Sequence, residues 1–143
     1  MTRILLADDH TLVRQGLRRI LEEQPDWQVV AETGNGLEAV RLTAELQPDI
    51  VILDIGMPQL NGLEAARQIT SANAAAKVVF LTVHADPDYL RSALAVGALG
   101  YVVKERLATD LIPALWAAVA GRRFVSPSLA GDVESFDSAG ACS

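Results

Sequence analysis

The chain has 143 residues, half of them hydrophobic, with a mean hydropathy of +0.24, a formal net charge of −6 and a pI near 4.8. That length suits one domain with a sizeable core, and the acidic balance argues against a broad nucleic-acid-binding surface, which needs clustered Lys and Arg. One cysteine, Cys142, excludes an internal disulfide and argues against a cysteine-based metal site; no apolar run nears about 18 residues and no basic start precedes one, so no membrane span or signal peptide is expected and a cytoplasmic location is.

Arg3 to Ala7 is a short apolar run that ends in Asp8-Asp9. His10 to Gln24 then carries Val13, Leu17, Ile20 and Leu21 at the spacing of one helical face. Trp27 to Ala31 predicts a second strand. Asn35 with Glu38 three residues on has the form of a helix cap, and the helix it opens is expected to be lined by Leu37, Val40 and Ala44 and to stop at Pro48. Ile50 to Leu53 reads as a strand buried on both faces. Asp54 ends that strand, where a bare carboxylate is costly unless it reaches solvent, a cation or a donor. Gly56, Pro58 and Asn61-Gly62 make a turn-rich loop, and Asn61 with Glu64 caps a helix over Leu63 to Thr70.

Lys77 to Thr82 is the fourth predicted strand. Asp86-Pro87 supplies an N-cap and a first-turn proline for a helix ending near Gly97. Leu99 to Lys104 is the fifth strand. The last helix runs to Gly121, and Asp110 is its expected N-cap, since that start places Pro113 third, where its missing N–H is harmless. Leu111, Leu115 and Val119 form the expected core stripe. Ile112 and Trp116 widen the apolar arc, which either packs deeper in the core or makes a face for a partner or a second copy. From Phe124 onward Ser, Gly, Ala and Asp dominate and periodicity is lost. The expected organisation is a domain over 1–123 and a linker or flexible tail over 124–143.

Five strands alternating with five helices, at roughly 25-residue intervals, specify an α/β fold of parallel units. Right-handed crossovers then place helices on both faces, in a doubly wound five-stranded sheet. Parallel strands bring their C-terminal tips to one edge, so Asp8, Asp9, Asp54, Thr82 and Lys104 converge there. Three gathered carboxylates repel, and at neutral pH they call for a hard divalent cation or a raised pKa. Mg²⁺ suits them, and the backbone carbonyl of Gly56 offers a further ligand. Lys104, one of two lysines in the chain, adds a compact positive charge, and Thr82 adds a hydroxyl. Carboxylate, metal, ammonium and hydroxyl together suit phosphoryl transfer with a carboxylate nucleophile. Each member has a plainer reading: Asp8 or Asp9 as a cap of the first helix, Thr82 as an ordinary strand residue, Lys104 as a solvated strand end. Their coincidence on successive strand tips is what argues for a site.

On Asp8-Asp9, Asp54 with Met57-Pro58 and Asn61-Gly62, Thr82, and Tyr101 with Lys104, the chain resembles the receiver domain of two-component response regulators over residues 1 to about 123. The resemblance implies a flavodoxin-like strand order of 2-1-3-4-5. It implies that Asp54 accepts a phosphoryl group from a sensor histidine kinase, with Mg²⁺ served by Asp8, Asp9, Asp54 and the Gly56 carbonyl. Lys104 and Thr82 would contact the phosphoryl oxygens, and Thr82 and Tyr101 would form the switch. Such a chain catalyses its own phosphorylation and dephosphorylation but acts mainly as a signalling switch.

The stretch from Leu111 to Ser126, with Glu105 after Lys104 where many receivers carry proline, is similar to the NarL/FixJ class, whose members join a receiver to a LuxR-type helix-turn-helix. That likeness implies transcriptional output. A phosphorylation-dependent homodimer, through Ile112 and Trp116, is a further expectation. Residues 128–143 contain no helix-turn-helix pattern. DNA is therefore expected to be reached only through a missing C-terminal domain, the chain being cut in the linker after Pro127. The alternative is a stand-alone single-domain receiver or docking module without DNA binding. A Mg²⁺-dependent aspartyl phosphatase is disfavoured because Gly56 occupies the position of the second acid such enzymes use. A flavodoxin-type binder is disfavoured because the first loop offers Asp8-Asp9 and not phosphate donors.

Overall fold

A computed structural model describes residues 2–57, 59–73, 75–83 and 87–127. Pro58, His84, Asp86, Cys142 and the rest of the segment after 127 lie outside the described residues. In chain order the elements are β1 (Thr2–Ala7), α1 (Thr11–Glu22), β2 (Trp27–Thr33), α2 (Gly36–Leu46), β3 (Ile50–Asp54), α3 (Gly62–Ala72), β4 (Lys77–Thr82), α4 (Pro87–Ala95), β5 (Gly100–Val103), α5 (Leu107–Val119) and β6 (Phe124–Val125). A 3₁₀ turn over Lys104–Arg106 joins β5 to α5.

All strand pairs are parallel, in the order β2-β1-β3-β4-β5-β6. Strand alternation decides which side chains meet which helices. Ile4, Leu6, Ile50, Ile52, Val79 and Leu81 pack with Leu17 and Leu21 of α1 and with Leu111 and Leu115 of α5. Leu5, Val51, Leu53, Val78, Phe80 and Tyr101 face Ala39 of α2, Ala65 and Ile69 of α3, and Leu90 of α4. Both faces are thus covered, which is why the central strands are apolar between their polar ends. β1 pairs on one side with β2 and on the other with β3, so the connections diverge there, and the strand tips open a crevice.

Two of the expected caps are present. Asn35 Oδ1 accepts from Glu38 N at 2.8 Å and Asn61 Oδ1 from Glu64 N at 2.9 Å. Pro87 opens α4, as its fixed φ favours.

Three elements depart from expectation. α2 buries Gly36, Ala39 and Thr43, whereas Leu37 is 52% exposed and Ala44 is also exposed. The Thr43 hydroxyl donates back to the Ala39 carbonyl at 2.7 Å, which satisfies it internally and lets a polar residue take the inner face. α5 begins at Leu107, so Asp110 is not its N-cap and Pro113 lies well inside the helix, where it forfeits the bond to the Thr109 carbonyl. Val119 is 45% exposed, and Ala114 and Ala118 complete the inner stripe with Leu111 and Leu115. Finally, Phe124–Val125 adds a sixth strand beside β5.

Asp110 and β6 explain each other. The buried Asp110 carboxylate accepts from Ser126 Oγ at 2.8 Å and from Arg106 Nε at 3.3 Å. Ser126 Oγ in turn accepts from Val103 N at 3.1 Å, and Ser126 N donates to Tyr101 O at 3.0 Å. One fully buried serine therefore ties the segment after α5 to both β5 and α5. Ser126→Ala is expected to destabilise the fold by about 1–3 kcal/mol, because it leaves a buried carboxylate and a buried N–H short of partners. A lowered urea midpoint at unchanged slope is the check.

Candidate functional site

The residues predicted at the strand tips meet in an open cleft of about 280 Å³ lined by Asp9, His10, Asp54, Gly56, Thr82, Val83 and Lys104. Asp8 follows β1 and is buried beneath it. Asp54 closes β3, and its Oδ1 accepts from Gly56 N at 3.2 Å, a turn that folds the loop back over the strand end. The start of α3 is pressed against the same point. Gly62 N donates to Ile55 O at 2.9 Å, and a Cβ on Gly62 would come within 2.3 Å of the Asp54 carbonyl oxygen. Only glycine permits that approach, so Gly62 fixes where Asp54 can stand.

Lys104 lies just beyond β5, and its ammonium reaches 2.8 Å from Asp8 Oδ2 and 3.3 Å from Asp54 Oδ2. Its approach to Asp8 Oδ2 is an ion pair without hydrogen-bond geometry, and that buried oxygen has no hydrogen-bond partner among the described residues. Thr82, at the tip of β4, is buried at the cleft wall. Tyr101 lies behind it rather than in it: fully buried on β5, it is paired in register with Phe80. Trp116 stands apart on α5 and is 60% exposed, whereas Ile112 beside it is partly buried against the core.

Two contributors are absent from the predicted set. His10 Nδ1 lies 3.1 Å from Asp8 Oδ1, 3.2 Å from Asp9 Oδ1 and 4.0 Å from Asp54 Oδ2. Its adjacency to Asp8-Asp9 was the available signal. Arg14 Nη1 donates to the Asp8 carbonyl at 2.5 Å and its Nε stands 3.5 Å from Glu32, steadying the loop after β1. An i, i+6 link across a helix start leaves no periodic trace.

Burial raises the pKa of Asp54 above the usual carboxylate value, and the charge of Asp8 adds to the rise; Lys104 and the Gly56 N–H oppose it. Three carboxylates against one ammonium leave the cluster about two charges negative, a balance that a divalent oxygen-seeking cation would meet. The ligand atoms of Asp8, Asp9, His10 and Asp54 all lie within 4.8 Å of one another.

A family model described as the response regulator receiver domain matches residues 4–115. The chain is 39% identical over 135 residues to the transcriptional regulatory protein LiaR of Bacillus subtilis (strain 168), covering 94% of this chain and 64% of that one. Its fold matches a two-component response regulator of the LuxR family from Aurantimonas sp. SI85-9A1 with a TM-score of 0.89 and 40% identity, over 94% of this chain and 97% of that one. It also matches the signal receiver domain of the putative response regulator NarL from Mycobacterium tuberculosis, with a TM-score of 0.80 and 30% identity, over 85% of this chain and 98% of that one. The chain spans between 54% and 64% of the length of the curated relatives it matches. Among the described residues, no helix is long and apolar enough to cross a membrane.

The raised pKa of Asp54 has a consequence for stability. The folded state holds the Asp54 proton more tightly than the unfolded chain, so ionising this group costs stability as pH rises from the ordinary carboxylate range through the raised value. Asp54→Asn keeps the acceptor for Gly56 N and drops the charge. It is expected to melt at a higher temperature than the parent at neutral pH. The gap should close as pH falls below the ordinary carboxylate range, which thermal melts across pH will read.

Proposed function

The chain belongs to the response regulator receiver domain family, and on that premise we propose that it is a phosphorylation-driven switch whose acceptor is Asp54. The observation that carries this reading is the Asp54 carboxylate at the tip of β3, facing an open cleft with Lys104 Nζ at 3.3 Å. A carboxylate oxygen of Asp54 attacks the phosphorus of a phosphohistidine on a sensor histidine kinase. The P–N bond breaks, the imidazole leaves with the electron pair and takes up a proton, and an acyl phosphate remains on Asp54. Lys104 and the Gly56 N–H favour the ionised, nucleophilic form of Asp54. Lys104 and the Thr82 hydroxyl then receive the new oxygens.

The donor set fits Mg²⁺: carboxylates of Asp8, Asp9 and Asp54, the Gly56 backbone carbonyl, and a net charge that one divalent ion balances. When bound, the ion supplies positive charge that offsets the negative charge on the transferred group. The protein's own part is to hold Asp8 buried, to orient Asp54 through Gly56 and Gly62, and to carry Lys104 across the tip of β4.

Phosphorylation adds charge at Asp54, draws Thr82 towards it and opens space that Tyr101 fills or leaves; Tyr101 is on β5, next to β4, so this route is short. Self-association through the exposed Trp116 on α5 is part of the same proposal, as is control of transcription through a DNA-binding output domain. Cytoplasmic location follows from the histidine-kinase partnership.

Incubation with acetyl phosphate and Mg²⁺ is expected to add one phosphoryl mass to the parent and none to Asp54→Asn. Undiminished labelling of that variant would overturn the assignment. Asp9→Ala is expected to weaken Mg²⁺ binding strongly and stop labelling. Sedimentation should show a dimer favoured by phosphorylation in the parent and a folded monomer in Trp116→Glu; a variant that still dimerises removes α5 as the contact.

A further inference from the structure

The acidic cleft contains a nitrogen donor that Mg²⁺ chemistry does not need. His10 stands at the N-cap of α1 yet makes no side-chain capping bond, so its imidazole has no role in starting the helix. Its backbone N–H donates to Asp8 Oδ1 at 2.8 Å, which holds the residue over the acids. The ring turns Nδ1 towards all three carboxylates, at 3.1, 3.2 and 4.0 Å. A cation already lies against that nitrogen: Lys104 Nζ is 3.4 Å from it. Beneath it, the Asp8 side chain is 1% exposed, and its Oδ2 meets Lys104 Nζ at 2.8 Å as an ion pair but accepts no hydrogen bond among the described residues.

We propose that His10 is a nitrogen ligand that, with Asp8 and Asp9, makes this cleft a mixed nitrogen–oxygen site for a borderline divalent transition ion, held more tightly than Mg²⁺. The inference rests on the reading that the acidic cluster takes a divalent cation. Mg²⁺ prefers oxygen and sheds water reluctantly, whereas imidazole suits the later first-row ions, whose affinity for a given N/O site rises along the series. His10 therefore separates the two classes of ion where carboxylates alone would do so less. Since Asp54 belongs to the same set of atoms, the identity of the ion bears on the nucleophile itself.

The test is calorimetric titration of the whole chain with Mg²⁺ and separately with Co²⁺, for the parent, His10→Ala and His84→Ala, the last removing the other histidine. His10 is 60% exposed in its side chain and caps nothing, so its replacement leaves the fold in place. Co²⁺ is expected to bind the parent more tightly than Mg²⁺. His10→Ala should lose about tenfold or more in Co²⁺ affinity, at least what loss of a supporting group costs a metal site, with Mg²⁺ affinity changed by less than about twofold. His84→Ala should match the parent for both ions. Unchanged Co²⁺ binding in His10→Ala, an equal loss for both ions, or a loss confined to His84→Ala would overturn the proposal. A parent that binds Co²⁺ through His10 but not Mg²⁺ would instead count against the Mg²⁺ reading and leave the His10 assignment standing.

Discussion

Lys104 Nζ lies 2.8 Å from Asp8 and 3.3 Å from Asp54, and that contact joins two carboxylates that would otherwise be buried side by side. Burial and the charge of Asp8 both disfavour the charged form of Asp54, and an ammonium on a long stem is what offsets them without filling the cleft. The rest of the fold serves this arrangement. Parallel pairing brings the tips of β1, β3, β4 and β5 to one edge, helices on both faces let those strands be apolar behind their tips, and Gly62 lets α3 close against the end of β3. One ammonium against three acids leaves the edge negative, so the site stays receptive to a cation. It also stays sensitive to any new charge on Asp54.

That sensitivity has a structural address. Lys104 directly follows Val103, whose N–H is held by Ser126 Oγ, and Ser126 Oγ is held by the buried Asp110. Thr82 is opposite Val103 in the ladder, and Phe80 is opposite Tyr101. The cation of the cleft, the aromatic behind it and the strand that leads out of α5 therefore share β5. Coupling between sites travels through packed elements with discrete arrangements, and β5 is such an element here.

Much of this was legible in residues alone. Apolar runs bounded by Gly, Pro and Asn gave the strands, Asn35 and Asn61 gave two helix starts, and acids at strand tips gave the cleft, because each signal is local and repeats. What escaped notice depends on tertiary partners. Asp110 looked like a cap because its true partners, Ser126 and Arg106, are set by folding, and their bonds outweigh a helix start that would have spared Pro113. Phe124–Val125 is too short to show a period and gains its strand only by lying beside β5. Hydrophobicity points Leu37 and Val119 inward, yet smaller residues, Ala39 and Thr43 in α2 and Ala114 and Ala118 in α5, let those helices sit close to the sheet. His10 becomes informative only once its nitrogen is placed among carboxylates, which no local pattern reveals.

The electrostatic coupling of Asp54 to its neighbours is the central claim, and site-resolved ¹³C NMR titration of the Asp54 carboxyl in metal-free protein tests it most directly. In the parent, Asp54 is expected to titrate above the ordinary carboxylate value; Asp8→Asn should lower it towards that value, and Lys104→Met should raise it further. An Asp54 that titrates in the ordinary range and responds to neither substitution would contradict the account.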